Sequence, residues 1–253
     1  MTRPAHQADN LCRLITELGG RAIRLPALEL VAVNDSSGNQ AQWLVNLDKF
    51  QWLVFISANA VNFALKANDG KIDLLKSTRI AAIGRATAQA LETAGLPADL
   101  VPGDGYNSEA LLSKLRTRMR PGQRCLIVRG RGGREELARV LRENGVQVEY
   151  WEVYERIMPA VDVSEAARLI ERNQLEFNTI TSGEALKNLL MMFGETYHQA
   201  LFAVPLIVVS QRIGDVACQL GFKRITVTDN PSDAAVLKAL TTIIKTGESG
   251  RSE

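Results

Sequence analysis

Short runs of apolar, mostly β-branched residues alternate with amphipathic stretches along the whole chain. The runs are Trp52 to Ile56, Ile80 to Ile83, Cys125 to Val128, Phe177 to Ile180, Leu206 to Val209 and Ile225 to Val227. Each has strand length and is apolar without alternation, the pattern of a strand covered on both faces in a parallel sheet. Between them apolar residues recur three and four apart, as in Leu11, Leu14, Ile15 and Leu18 or Leu137, Ala138, Val140 and Leu141, which predicts helices with one buried stripe. Parallel strands need crossover connections, so the alternation predicts an α/β fold with helices packed on parallel sheets.

The pattern also repeats. Displaced by about 125 residues, the sequence falls on itself in four ordered places, a period of domain size. Thr2-Arg3 before a helix closing at Gly20 matches Val128-Arg129 before one closing at Gly145. Val54 to Ser57 matches Thr179 to Ser182, Ile80 to Gly84 matches Ile207 to Ser210, and Val101-Pro102 with Asn107-Ser108 matches Val227 to Asp229 with Pro231-Ser232. Two similar Rossmann- or flavodoxin-like parallel-sheet lobes follow, with a ligand cleft expected between them. Polar, strand-like passages at about 28–36 and 151–159 read as linkers. If they pair as a two-stranded ladder, one lobe holds 1–33 with 160–253 and the other 37–150. The small, polar tail at 246–253 is expected to be disordered.

Composition narrows the function. The chain has 253 residues, ample for two cores, and a formal net charge of +2 from 30 basic and 28 acidic residues. That balance is wrong for a nucleic-acid binder, so any anion must be met by locally placed groups. No apolar run approaches the length of a membrane span. His6 and His198 are the only histidines, which argues against a histidine metal site or a Ser-His-Asp triad. Cys12, Cys125 and Cys218 are widely spaced in apolar contexts, predicting buried packing residues in a reducing cytoplasm. Nothing in the pattern calls for oligomerisation, so a monomer is expected.

Candidate chemistry collects where strands give way to helices, the place where parallel sheets bind ligands and helix amides point outward. Ser57 and Asn59, and Ser182 and Gly183, open helices after strands, where a hydroxyl either caps the helix or binds an anion. Gly84, Arg85 and Thr87, and Ser210 and Arg212, occupy equivalent turns with an arginine beside free amides. Arg129-Gly130-Arg131-Gly132-Gly133-Arg134 joins three glycines to three arginines and suits an anion, although it is neither a dinucleotide fingerprint nor a Walker loop. That mismatch counts against a nucleotide-dependent oxidoreductase. Tyr154, opposite Glu29 in the repeat, reads either as a packing residue or as a functional phenol.

Taken together, Thr2-Arg3-Pro4, Phe55 to Val61, Ile83 to Ala88, Arg129 to Glu135, Val153-Tyr154, Thr181 to Glu184 and Val208 to Arg212 resemble the uroporphyrinogen-III synthase family in order and spacing over nearly the whole chain. The resemblance implies two α/β lobes joined by a β-ladder. It also implies cofactor-free and metal-free cyclisation of hydroxymethylbilane to uroporphyrinogen III, the substrate being handed over by the preceding pathway enzyme. Water is lost, an azafulvene forms, and ring D inverts through a spiro intermediate. Tyr154 matches the tyrosine that assists departure of the hydroxyl. Arg3, Ser57, Asn59, Gly84, Arg85, Thr87, Arg129, Gly130, Gly132, Gly133, Arg134, Ser182, Gly183, Ser210 and Arg212 are the expected substrate contacts. The other reading is a non-catalytic two-lobed binder of a small polyanion. One departure stands out: Met1 directly precedes Thr2, so a first strand is expected to be short or absent, or the start to lie upstream.

Overall fold

A computed structural model describes residues 1–33, 47–70, 72, 78–103 and 108–245. The linker residues 34–36, Asn107 and the tail at 246–253 lie outside the described residues. In chain order the helices are α1 (Asp9–Glu17), α2 (Ala58–Lys66), α3 (Arg85–Thr93), α4 (Ser108–Arg116), α5 (Glu136–Glu143), α6 (Ser164–Glu171), α7 (Gly183–Phe193), α8 (His198–Ala203), α9 (Gln211–Leu220) and α10 (Asp233–Lys245). The strands are β1 (Glu29–Ala32), β2 (Trp52–Phe55), β3 (Arg79–Ala82), β4 (Arg124–Gly130), β5 (Gln147–Ile157), β6 (Asn178–Ile180), β7 (Leu206–Val208) and β8 (Ile225–Val227). The chain divides into two compact units, residues 31–156 and residues 1–30 with 157–253.

In the 31–156 unit the sheet runs β1-β5-β4-β2-β3. β2 lies between two parallel neighbours, Trp52 standing beside both Cys125 and Arg79, so all four of its residues are buried. That is why this strand reads as an unbroken apolar run. Trp52, Val54, Ile127, Leu115 and Leu141 share one core, filled from the helical side by α4 and α5. The second linker passage is strand as far as Ile157, but β5 begins earlier, at Gln147, and pairs with β4 from Arg124 beside Gln147 to Gly130 beside Tyr154. Its other neighbour is β1, and the Val33 amide donates to the Val153 carbonyl.

The other unit has three parallel strands, β6-β7-β8, with Leu206 beside Asn178 and Ile225. Successive side chains of β7 serve opposite faces, as a pleated strand requires. Leu206 and Val208 join a core with Leu186, Leu189, Phe193 and Ile213, while Ile207 packs with Leu11, Val236 and Leu240 of α1 and α10. Among the described residues no strand precedes α1. Met1 and Thr2 nevertheless sit in a ladder position, their carbonyls accepting from the Leu25 and Ala27 amides while Thr2 Oγ1 donates to the Thr179 carbonyl at 2.7 Å. Cys12 and Cys125 are buried as expected, and burial pushes the Cys125 thiol pKa well up. Cys218 corrects the cysteine reading, since it is exposed. The buried stripe of α9 runs through Ile213, Gly214 and Ala217 and leaves Cys218 at its margin.

Candidate functional site

Parallel pairing brings the carboxyl ends of β2, β3 and β4 to one edge of their sheet, so Ser57, Gly84 and Gly130 emerge together there. Tyr154 reaches the same edge through an irregularity in β5. Arg129 is paired with Glu152, but Gly130 is paired with Tyr154, so β5 advances two residues for one of β4. Such a bulge re-aims the side chain that follows it. The Arg131 amide then fixes the turn by donating to the Tyr154 carbonyl at 2.8 Å.

The Tyr154 ring is 3% exposed and tightly bounded. A Cβ placed on Gly130 would lie 2.5 Å from two of its ring carbons, so only glycine lets β4 pass this close. Phe63 of α2 stacks at a ring-centroid distance of 5.4 Å, and the Arg156 guanidinium lies 5.6 Å from the ring centre. The phenol oxygen stands 3.3 Å from Ser57 Oγ. Ser57 Oγ in turn accepts from the Ala60 amide at 2.9 Å, the N-cap of α2.

Arg129, an expected substrate contact, has its guanidinium taken up by hydrogen bonds within its own loop. It is 2% exposed, and its guanidinium is engaged by the loop itself. Nη2 donates to the Gly133 carbonyl at 2.9 Å, Nε to the Gly130 carbonyl at 3.2 Å and Nη1 to Glu135 at 2.8 Å, while the plane lies over the Tyr150 ring. Desolvation of a guanidinium is tolerated only with such complete pairing. Glu135 also accepts from the Tyr150 hydroxyl, and these two bonds hold its carboxyl below the ordinary glutamate range. Burial first, and Glu135 second, push the Tyr150 phenol up. Gly132, at φ 71°, supplies the left-handed turn that folds the loop back on Arg129. Gly133 packs against the Arg129 guanidinium, and Arg134 is exposed.

The remaining expected contacts divide between the units. Gly84 sits at the N-cap position of α3, with Arg85 exposed in its first turn and Thr87 buried behind it; Asn59 is half-buried in α2. In the other unit Ser182 caps α7, accepting from Ala185 at 3.1 Å, and Gly183 begins that helix. Ser210 holds the N-cap position of α9 without a side-chain cap bond, and Arg212 is exposed. Arg3 is buried, its Nη1 bonded to Asp233 at the start of α10. It therefore ties two chain segments together. Phe63, Glu135 and Arg156 escaped the sequence reading. Phe63 carries an ordinary apolar signal on its helix, and only the fold reveals that it meets a phenol. Among the described residues no cluster of His, Cys, Asp and Glu could hold a metal.

A family model described as "Uroporphyrinogen-III synthase HemD" matches residues 9–238. The chain belongs to the uroporphyrinogen-III synthase family. Curated family proteins from Escherichia coli K12 and Salmonella typhimurium LT2 are each 34% identical to it, covering 95% of this chain and 98% of their own. Solved structures agree on the fold. The chain superposes on a mutant uroporphyrinogen III synthase from the extremely thermophilic bacterium Thermus thermophilus with TM-score 0.63 at 19% identity, covering 95% of this chain and 96% of that one. A synthetase of this name from Helicobacter pylori gives 0.60 at 18% identity, covering 87% and 92%. The family's fold, two α/β domains on parallel sheets, is thus the one the apolar runs predict.

Proposed function

We propose that this chain cyclises hydroxymethylbilane to uroporphyrinogen III, losing water and inverting ring D through a spiro intermediate. The observation that supports this most directly is the Tyr154 phenol, placed by the β5 bulge beside Ser57 at the end of the sheet where ligands collect. Tyr154 gives its proton to the terminal hydroxyl of the substrate. The carbon–oxygen bond breaks, water leaves, and the electron-rich pyrrole carries the charge as an azafulvene. Ring D attacks through its substituted carbon, and the spiro centre breaks and re-forms with that ring turned over. No strong base is required beyond the phenol oxygen; the demand is on holding the chain in the reacting conformation.

The substrate presents eight carboxylates. Within the 31–156 unit, which carries Tyr154, we assign carboxylate recognition to the exposed arginines Arg85 and Arg134 and to the helix start at Ala58, leaving Arg129 to the loop. Supply of the substrate by the enzyme that makes it, a monomeric state and a cytoplasmic setting complete the proposal. Three cysteines without a disulfide suit a reducing compartment, and among the described residues no helix is long and apolar enough to cross a membrane. The deciding experiment is an isomer assay on freshly prepared hydroxymethylbilane. The type III product is expected. Type I product alone, the spontaneous outcome, would reduce the protein to a binder.

A further inference from the structure

We propose that Ser57 is a positioning residue for Tyr154: its hydroxyl donates to the phenol oxygen and leaves the tyrosine's own proton for the substrate. The assignment rests on the activity proposed above. It differs from the sequence reading, in which Ser57 touches the substrate itself.

The direction of the Ser57–Tyr154 bond follows from the group on the other side. An amide N–H can only donate, so at the Ala60 contact Ser57 Oγ is the acceptor. That contact lies in the first turn of α2, where the helix dipole is positive. An oxygen already accepting there is a weaker second acceptor and a more polarised donor. Its one proton has the Tyr154 oxygen 3.3 Å away. This is long for an O–H···O bond, as resting sites are before substrate tightens them.

The consequence is chemical. As the Tyr154 proton moves to the leaving hydroxyl, water departs with the electron pair of the carbon–oxygen bond and the phenol oxygen gains a negative charge. A hydrogen bond donated to that oxygen stabilises the charged form. The phenolate recovers its proton from the ring-closed cation, so atoms and charge balance over the cycle. Among the other described neighbours, Gly130 and Phe63 meet the ring, and Arg156 lies over its face, where its charge favours the phenolate from the side while Ser57 addresses the oxygen itself.

Steady-state kinetics on the full chain, with product isomers resolved, test the assignment. Ser57→Ala is expected to lower kcat roughly tenfold with KM within about twofold. Ser57→Thr keeps both the cap and the donor and recovers most of the loss. Ser57→Asp caps a helix as well as serine but accepts from Tyr154 instead of donating, so its kcat stays at or below that of Ser57→Ala although its Tm matches the wild type. Ser57→Ala combined with Tyr154→Phe is no slower than Tyr154→Phe alone, because Ser57 acts through the phenol. Wild-type kcat in Ser57→Asp would show that capping is the whole role, and multiplying losses in the double variant would return Ser57 to the substrate; either overturns the assignment. Type III product from the wild type with either of these results removes the Ser57 role and keeps the activity. Type I product alone from the wild type removes both.

Discussion

At the scale of single residues, the closest tolerances surround Tyr154. Gly130→Ala puts a methyl group 2.5 Å from the ring. The ring must move, and turnover is expected to fall roughly tenfold or more while circular dichroism stays unchanged. Tyr154→Phe keeps the packing with Phe63 and removes the proton, so kcat should fall by roughly a hundredfold with little change in stability. Arg129→Ala separates loop architecture from substrate recognition. Losing the guanidinium leaves the Gly130 and Gly133 carbonyls without it, which should cost about 3 kcal/mol in urea unfolding. If Arg129 serves the loop, kcat suffers more than KM. A rise in KM alone would mean that it meets the substrate after all.

Secondary elements show what the sequence made legible and what it hid. All six apolar runs became strands; in β2, β3, β4, β6 and β7 burial on both faces leaves a signal that needs no knowledge of neighbours, whereas β8 is only partly buried and is apolar all the same. The strand-to-helix turns were legible for the same reason: Ser57 and Ser182 announce helix starts through their own hydroxyls. Ser182→Ala should therefore cost about 1 kcal/mol in stability, read from the thermal midpoint. The roles of Arg129 and Glu135 were not legible. A run of arginines and glycines looks alike whether its charge points at solvent or folds inward, and what decides it is the Tyr150 ring, supplied by a strand well downstream. The bulge in β5 was hidden too, since Val153-Tyr154 alternates like any strand and only the register against Arg129 and Gly130 shows the extra residue. Cys218 was misread because helical spacing locates a stripe but not its margins.

For the whole molecule, acid sensitivity follows from named pairs. Burial acts to raise the Asp233 carboxyl, but hydrogen bonds from Asn10 and Arg3 outweigh it and hold it below its ordinary value. A carboxylate lowered on folding adds stability above its unfolded value near pH 4, and that contribution disappears as pH falls through the lower folded value. Glu135 acts with the same sign. Thermal midpoints should thus fall as pH drops below about 4. Asp233→Asn should lose about 3 kcal/mol at pH 7, since it leaves Arg3 buried beside a neutral partner, and its curve should converge on the wild type in acid.

The division of the chain bears on the order of its synthesis. Residues 31–156 form one uninterrupted stretch, whereas the other unit is assembled from both ends. On a ribosome the inner unit is complete while Thr2 still waits for Thr179 and Arg3 for Asp233. The segment ahead of β1 must therefore stay unsettled until β6 and α10 have been made, so nascent-chain proteolysis should find residues 31–156 protected before it.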